Sequence, residues 1–152
     1  MRLRVIAVGK DRSGLYAPAV SEYTRRIERY VRFELVELSD SGKRGGGRTR
    51  QEKGESALAR IGASDHVVAL DELGVERDSM EFARCIERWL GAGRDVAFLI
   101  GGAEGLSPPV LARANERLAL SRMTLAHRLA RLVLVEQLYR AMTIVRGEPY
   151  HK

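Results

Sequence analysis

Short apolar runs recur along the chain, and each is too short to form an ordinary helix. Leu3–Val8, His66–Leu70 and Val96–Ile100 are almost wholly apolar and predict buried strands. Phe33–Leu38 alternates apolar with acidic residues and predicts a less buried strand, and Leu118–Leu120 predicts a fifth. The spacing of these runs leaves room for a helix after each strand.

Helical patterns fill the intervening segments. We expect helices at Leu15–Val31, Arg50–Ile61, Ser79–Leu90, Pro108 to about Asn115, and Ala126–Val145. Asp78 followed by Glu81 three residues later is typical of a helix start, and Gly91 and Gly93 end that helix. Strands that alternate with helices predict a single α/β domain over residues 1–152, with a parallel sheet of about five to six strands in three layers.

The last helix has no clear polar face. Its polar residues are scattered around the axis: Arg128, Arg131, Glu136, Gln137, Arg140 and Thr143. A helix on the outside of a monomeric domain normally shows a solvated side. We therefore expect this helix to be buried on two sides, against its own sheet and against a second copy of the chain in a homodimer. The alternative is that other elements of the same chain cover this helix completely.

Composition places the chain among ordinary globular proteins, with 45% hydrophobic and 30% charged residues. No apolar stretch approaches the roughly 20 residues that a membrane-spanning helix needs. The first ten residues predict a strand rather than a signal peptide, because their apolar run is too short. The single cysteine, Cys85, excludes an internal disulfide and a Cys-based zinc site, and its apolar neighbours indicate a core thiol. We expect a cytoplasmic protein.

Positive charge is concentrated in two segments. Against a net charge of +6 for the whole chain, residues 42–53 carry +4 and residues 113–152 carry +5. Such a concentration indicates contact with a polyanion such as RNA. The glycine-rich segment Gly42–Arg48 predicts a mobile surface loop in the free protein, and a basic loop of this kind can still become ordered on RNA.

A turn with glycines at positions 101, 102 and 105 follows the fourth strand. Glycine lets a ligand approach the backbone closely, since no Cβ intervenes. The glycine offsets differ from those of a dinucleotide-binding motif, and Glu104 would repel a phosphate, so a ligand with positive charge, such as a sulfonium, fits better. His66, His127 and His151 are far apart in the sequence, and we expect no metal site. Group transfer from a reactive cofactor needs neither a metal nor an activated nucleophile.

Four motifs together resemble one known family over the full length of the chain. They are VVALDELG (67–74), LIGGAEGLS (99–107), LALSRMTLAHRLARLVLVEQLYRA (118–141) and the terminal PYHK. The combination resembles the SPOUT-class RNA methyltransferases, and within them the small ribosomal enzymes that methylate N3 of a pseudouridine in large-subunit rRNA. The resemblance implies an α/β fold with a C-terminal trefoil knot, S-adenosylmethionine as cofactor, a homodimer, and rRNA in the assembled ribosome as substrate.

The resemblance also implies which residues bind the cofactor. Carried over by position, they are Leu70, Gly102, Ser121, Arg122, Met123, Thr124, Leu125 and Ala126. Gly102 would give backbone access, while Leu70, Met123 and Leu125 would offer apolar walls for adenine. Core packing is the alternative for Leu70 and Leu125. The family usually has proline where this chain has Ala126.

The candidates for catalysis lie near the C-terminus and are Arg140, Tyr150, His151 and Lys152. Arg140 would be a cation that eases loss of the N3 proton of pseudouridine, and His151 would accept a proton. The alternative for Arg140 is an ion pair with Glu136 four residues earlier, and for the tail it is fraying.

Two function classes remain open. One is S-adenosylmethionine-dependent methylation of N3 of a pseudouridine in large-subunit rRNA, and the other is a non-catalytic RNA-binding or ribosome-assembly module with the same fold. A pure binding module has no need of the loop from Ser121 to Ala126, so this loop favours the enzyme.

Because Arg140 lies about 20 Å along the helix from that loop, we expect a partner subunit to bring Arg140 to the cofactor.

Overall fold

The computed structural model describes residues 1–40 and 49–152. Within these ranges strands and helices alternate as β1 (Arg2–Val8), α1 (Ala17–Ile27), β2 (Arg32–Leu38), α2 (Arg50–Leu58), β3 (His66–Glu76), α3 (Ser79–Gly91), β4 (Val96–Ile100), α4 (Pro108–Arg113), β5 (Glu116–Ala119) and α5 (His127–Val145). The strands form one five-stranded sheet in the order β2-β1-β4-β3-β5, and every pairing is parallel. The predicted α/β class is confirmed; the trefoil knot stays a prediction.

The two faces of the sheet bury separate hydrophobic clusters, because successive side chains of a strand point to opposite sides. Val5 of β1 and Phe98 of β4 belong to the cluster under α1, α3 and α5. Ile6 and Leu99 belong to the cluster on the other face, under α2 and α4. The three-layer arrangement is therefore confirmed, and Cys85, 2% exposed in the first cluster, is the core thiol that the sequence indicates.

Several element boundaries differ from the prediction. The first helix begins at Ala17, with Pro18 in its first turn, and leaves Leu15 71% exposed in the preceding loop. Strand β3 does not end at Leu70 but continues to Glu76, with a shift in its pairing to β5 between Leu70 and Val75. This extension pairs with β5, with Val75 opposite Leu118 and Glu76 opposite Ala119. The sequence does not predict the extension, because the polar residues Asp71 and Glu72 interrupt the apolar run that marks a buried strand.

Helix α5 packs on the sheet between α1 and α3, and no residue from His127 to Val145 is fully exposed. Leu134 and Leu138 are 0% exposed within a single chain, so neither can face a partner subunit. An outer stripe of half-buried residues runs along the opposite side at helical spacing: Leu129, Val133, Glu136 and Arg140. Elements of the same chain thus bury more of α5 than the sequence predicts. None of the described helices is long and apolar enough to cross a membrane.

Candidate functional site

A cavity of about 610 Å³ opens at the carboxyl ends of β4 and β5, beside the middle of β3 and the start of α5. Its lining includes all but one of the predicted cofactor residues: Leu70, Gly102, Ser121, Met123, Thr124, Leu125 and Ala126. Arg122 is the exception, because its side chain is 87% exposed and points to Glu76, with Nε 3.8 Å from Oε1. Topology therefore brings together three segments that are distant in the sequence.

The glycine turn after β4 forms one wall of this cavity. The amide of Gly105 donates to the carbonyl of Gly102 at 3.0 Å and closes the turn. A Cβ on Gly101 would lie only 2.6 Å from the carbonyl carbon of Gly105, whereas a Cβ on Gly102 would meet Val8 Cγ1 at 3.5 Å. Gly101 is thus the residue that the close turn requires, and Gly102 contributes backbone to the wall. Gly102 is the only glycine among the cofactor residues predicted from the sequence, and the need for glycine at position 101 was not predicted.

The cavity combines apolar walls with an acidic rim. Leu111, Leu118 and Leu120 join Leu70 in the lining, and Asp71, Glu72 and Glu104 contribute carboxylates. Asp71 and Glu72 are not among the residues predicted from the sequence, although they directly follow Leu70 in the sequence LDELG. Such a lining suits a ligand with an apolar ring system and positive charge.

The loop from Ser121 to Leu125 is held across the cavity by side-chain hydrogen bonds. Thr124 Oγ1 donates to Glu72 Oε2 at 2.6 Å, which ties the loop to the extension of β3. The amide of Met123 donates to Ser121 Oγ at 2.9 Å within the loop. Met123 belongs to the lining, but it is 78% exposed and therefore offers less apolar wall than the sequence predicts. These contacts fix the loop shape before any ligand binds.

The C-terminal candidates form a second site, the tail cluster of Glu136, Arg140, Tyr150 and His151. Glu136 Oε1 accepts from Arg140 Nη2 at 2.6 Å, from Arg140 Nε at 3.1 Å and from the Tyr150 hydroxyl at 3.0 Å. Arg140 Nη1 lies 3.1 Å from His151 Nδ1, and its guanidinium carbon lies 4.7 Å from the centre of the Tyr150 ring. The tail is therefore docked on α5, and of the four catalytic candidates only Lys152 is exposed.

The tail cluster keeps its arginine charged and its tyrosine protonated. The hydrogen bonds that Arg140 donates to the Glu136 carboxylate raise the pKa of Arg140 above its ordinary value. Burial, followed by hydrogen bonds with Tyr23 and Glu136, raises the pKa of Tyr150. The Arg140–Glu136 ion pair expected as the alternative is present, but it is part of a network that also holds the tail.

The cavity and the tail cluster lie at opposite ends of α5. His127 begins the helix in the cavity wall, and Arg140 follows thirteen residues later, roughly 20 Å away at 1.5 Å per residue. A single chain thus does not bring the predicted cofactor and catalytic residues together.

Several arginines of the basic C-terminal segment are engaged inside the fold. Arg131 is 3% exposed and donates to Glu37 at 2.8 Å and to the Gly9 carbonyl at 2.7 Å. Arg117 and Arg122, by contrast, are exposed near the cavity, with carboxylate partners at 3.6 and 3.8 Å. The basic loop Gly42–Arg48 lies outside the described residues.

Comparison with known proteins gives consistent matches over the full length. A family model described as "Predicted SPOUT methyltransferase" matches residues 1–151. A protein of Anaeromyxobacter sp. (strain Fw109-5) is 64% identical over 153 residues, and proteins of Desulfotalea psychrophila and Limosilactobacillus fermentum are 44% and 43% identical over 153 and 159 residues. In each case 100% of both chains is covered, and each relative is named ribosomal RNA large subunit methyltransferase H.

Proposed function

The chain belongs to the SPOUT methyltransferase family, and we propose that it methylates N3 of a pseudouridine in large-subunit rRNA with S-adenosylmethionine as methyl donor. The observation that carries this proposal is the cavity, in which the loop from Ser121 to Ala126 faces the glycine turn and Leu70. The names of its relatives support rRNA as the substrate. A non-catalytic binding module would have no use for this cavity.

The lining of the cavity fits S-adenosylmethionine. Leu70, Leu118 and Leu120 offer apolar surface for the adenine ring, and the glycine turn offers backbone groups for its polar edge. Glu72 and Glu104 bring negative charge to a ligand that carries a sulfonium and an ammonium group. When bound, this cofactor supplies an electrophilic methyl group. A phosphate-rich dinucleotide would be repelled by the same carboxylates.

We infer that the working unit is a homodimer in which one chain supplies the cavity and the other supplies the tail cluster, and that each chain has the trefoil knot that the sequence resemblance implies. The separation of about 20 Å along α5 argues against a site built by one chain. An antiparallel partner helix packed on the outer stripe would carry Arg140 from the far end of one chain to the cavity of the other. Leu129 and Val133 are the half-buried apolar residues of that stripe.

The tail cluster would act on the target imide by electrostatics. The imide N3 of pseudouridine is weakly acidic, and an adjacent cation favours its anionic form. Arg140 is such a cation. It donates hydrogen bonds from Nε and Nη2 to Glu136, and these bonds fix the orientation of the guanidinium.

RNA contact would centre on the side of the molecule where the cavity opens. Arg117 and Arg122 are exposed there, and their long, solvated ion pairs are worth little and can be exchanged for phosphates. We propose that the enzyme acts on the ribosome in the cytoplasm, with Lys43, Arg44 and Arg48 as further contacts predicted from the sequence. Binding should weaken steeply as salt rises.

Mass spectrometry of rRNA nucleosides tests the proposal. The purified protein is incubated with methyl-labelled S-adenosylmethionine and with ribosomes from a strain that lacks the modification. Labelled N3-methylpseudouridine in large-subunit rRNA is the expected product. Label in another nucleoside, or no label despite measurable cofactor binding, would contradict the assigned substrate.

A further inference from the structure

The hydrogen bonds of the tail cluster determine which nitrogen of His151 carries a proton. Arg140 Nη1 lies 3.1 Å from His151 Nδ1. A guanidinium has N–H donors and no acceptor, so Nδ1 accepts this bond and is unprotonated. The proton of a neutral His151 ring therefore resides on the other nitrogen, Nε2. That nitrogen can donate a hydrogen bond but cannot take up a proton.

Glu136 is the residue that fixes this arrangement. It binds Arg140 through Nε and Nη2, which leaves Nη1 as the edge of the guanidinium that meets His151. Its second oxygen, Oε2, accepts from Gln137 Nε2 at 2.8 Å, and Gln137 in turn accepts from Ser79 Oγ at 2.7 Å. The carboxylate is thus anchored to α3 as well as to α5, so the guanidinium has one orientation.

The other polar groups of the tail cluster are also unsuited to accept a proton. Glu136 already accepts bonds on both oxygens. Burial and hydrogen bonding raise the pKa of Tyr150, so its hydroxyl stays protonated and donates to Glu136. Arg140 remains a cation, because its bond to Glu136 raises its pKa. The cluster offers donors and positive charge to whatever binds against it.

We propose that His151 serves the methyl transfer as a hydrogen-bond donor through Nε2–H, and not as the general base; this inference rests on the proposed function. In the reaction a bond forms between N3 and the methyl carbon, and the carbon–sulfur bond breaks with its electron pair passing to sulfur. The N3 proton leaves to bulk water. The negative charge that its loss creates is shared between N3 and the flanking carbonyl oxygens. Nε2–H of His151 donates to one of these oxygens, and Arg140 stabilises the same charge.

The tautomer can be measured in the free protein without cofactor or RNA. The chain has three histidines, so a ¹⁵N-histidine-labelled sample gives few signals, and His151→Gln identifies those of His151. We expect a single tautomer with the proton on Nε2 in the wild type and a mixture of tautomers in Arg140→Gln. A proton on Nδ1 in the wild type would overturn the inference.

Kinetics of two variants test the role itself. Glutamine places an N–H donor near the position of Nε2 but cannot act as a base, whereas alanine does neither. A donor role predicts that His151→Gln keeps kcat within about tenfold of the wild type while His151→Ala loses about 10²–10³-fold. Equal losses in both variants would show that His151 is the base. If the wild type itself leaves rRNA unmethylated, the proposed function fails, whereas the tautomer measurement is unaffected.

Discussion

Replacing Gly101 or Gly102 by alanine adds one methyl group at neighbouring positions of the turn, with different expected results. A Cβ on Gly101 would lie 2.6 Å from the carbonyl carbon and 2.8 Å from the carbonyl oxygen of Gly105. These are backbone atoms, so the turn itself must open to relieve the clash. A Cβ on Gly102 would meet Val8 Cγ1 at 3.5 Å and Asp40 Oδ1 at 3.8 Å, which are ordinary contact distances.

The contacts set the size of each effect. Adding a methyl group where no space exists usually costs about 1–3 kcal/mol, and we expect this loss of unfolding free energy in Gly101→Ala. Each 1.4 kcal/mol of distortion that the ligand has to reverse weakens its binding about tenfold, so S-adenosylhomocysteine affinity should fall about tenfold or more. Gly102→Ala should change the unfolding free energy and the binding free energy by less than about 0.5 kcal/mol each.

Urea unfolding measures the stability of both variants, and titration calorimetry measures their affinity for S-adenosylhomocysteine. Because the two variants differ only in position, each is the control for the other. Equal losses at the two positions would refute the argument from contacts. A loss of affinity confined to Gly102→Ala would show that a Cβ at this position enters the space of the ligand.

Three further predictions concern the outer stripe of α5, the cofactor loop and a buried histidine. Val133→Asp on the outer stripe should yield folded monomers without methyltransferase activity, whereas Leu134→Asp should unfold the chain, since Leu134 is 0% exposed. Ala126→Pro should raise the unfolding free energy by about 0.4–1 kcal/mol, because φ −55° and ψ 137° at Ala126 suit proline. Burial lowers the pKa of His66, so the stability that its neutral ring contributes should be present above about pH 6.5 and be lost as the pH falls toward the lower folded pKa.

Each of these predictions has a direct measurement. Sedimentation at micromolar concentration separates monomers from dimers, and a dimeric Val133→Asp would place the interface elsewhere. Thermal unfolding tests Ala126→Pro, where a lowered midpoint would mean that the loop needs another conformation. For His66, the pH dependence of unfolding between about pH 7 and 5.5 should be flatter in His66→Gln than in the wild type. Equal slopes would assign the effect to other groups, such as His127.

Local patterns were enough to predict most of the fold, and whole motifs were enough to predict several residues that line the cavity. The apolar runs mark all five strands, and the Asp78–Glu81 pair forms the expected capping box, with Glu81 N donating to Asp78 Oδ1 at 2.7 Å. Leu70 and Leu125, which line the cavity, were predicted only from whole motifs, because each looks like a core residue when considered alone.

What the patterns missed depends on contacts between distant segments. The internal role of Arg131 rests on Glu37, 94 residues away, so the arginine counted as surface charge from the sequence. Coverage of α5 by α1 and α3 made Leu134 and Leu138 core residues, although a helix pattern alone does not tell which apolar residues face a partner. The need for glycine at Gly101 appears only when the turn closes on Gly105.

The central claim, that two chains build one active site, is tested most directly by mixed dimers. One chain lacks residues 150–152, and the other carries Ala130→Phe, which fills the cavity from α5 and should abolish S-adenosylhomocysteine binding. Each variant alone should form inactive homodimers. A mixed dimer contains one intact cavity facing one intact tail, so we predict that rRNA methylation returns to about half the wild-type rate per dimer. No recovery in heterodimers of proven composition, in which the cavity of the truncated chain still binds the ligand, would contradict the composite site.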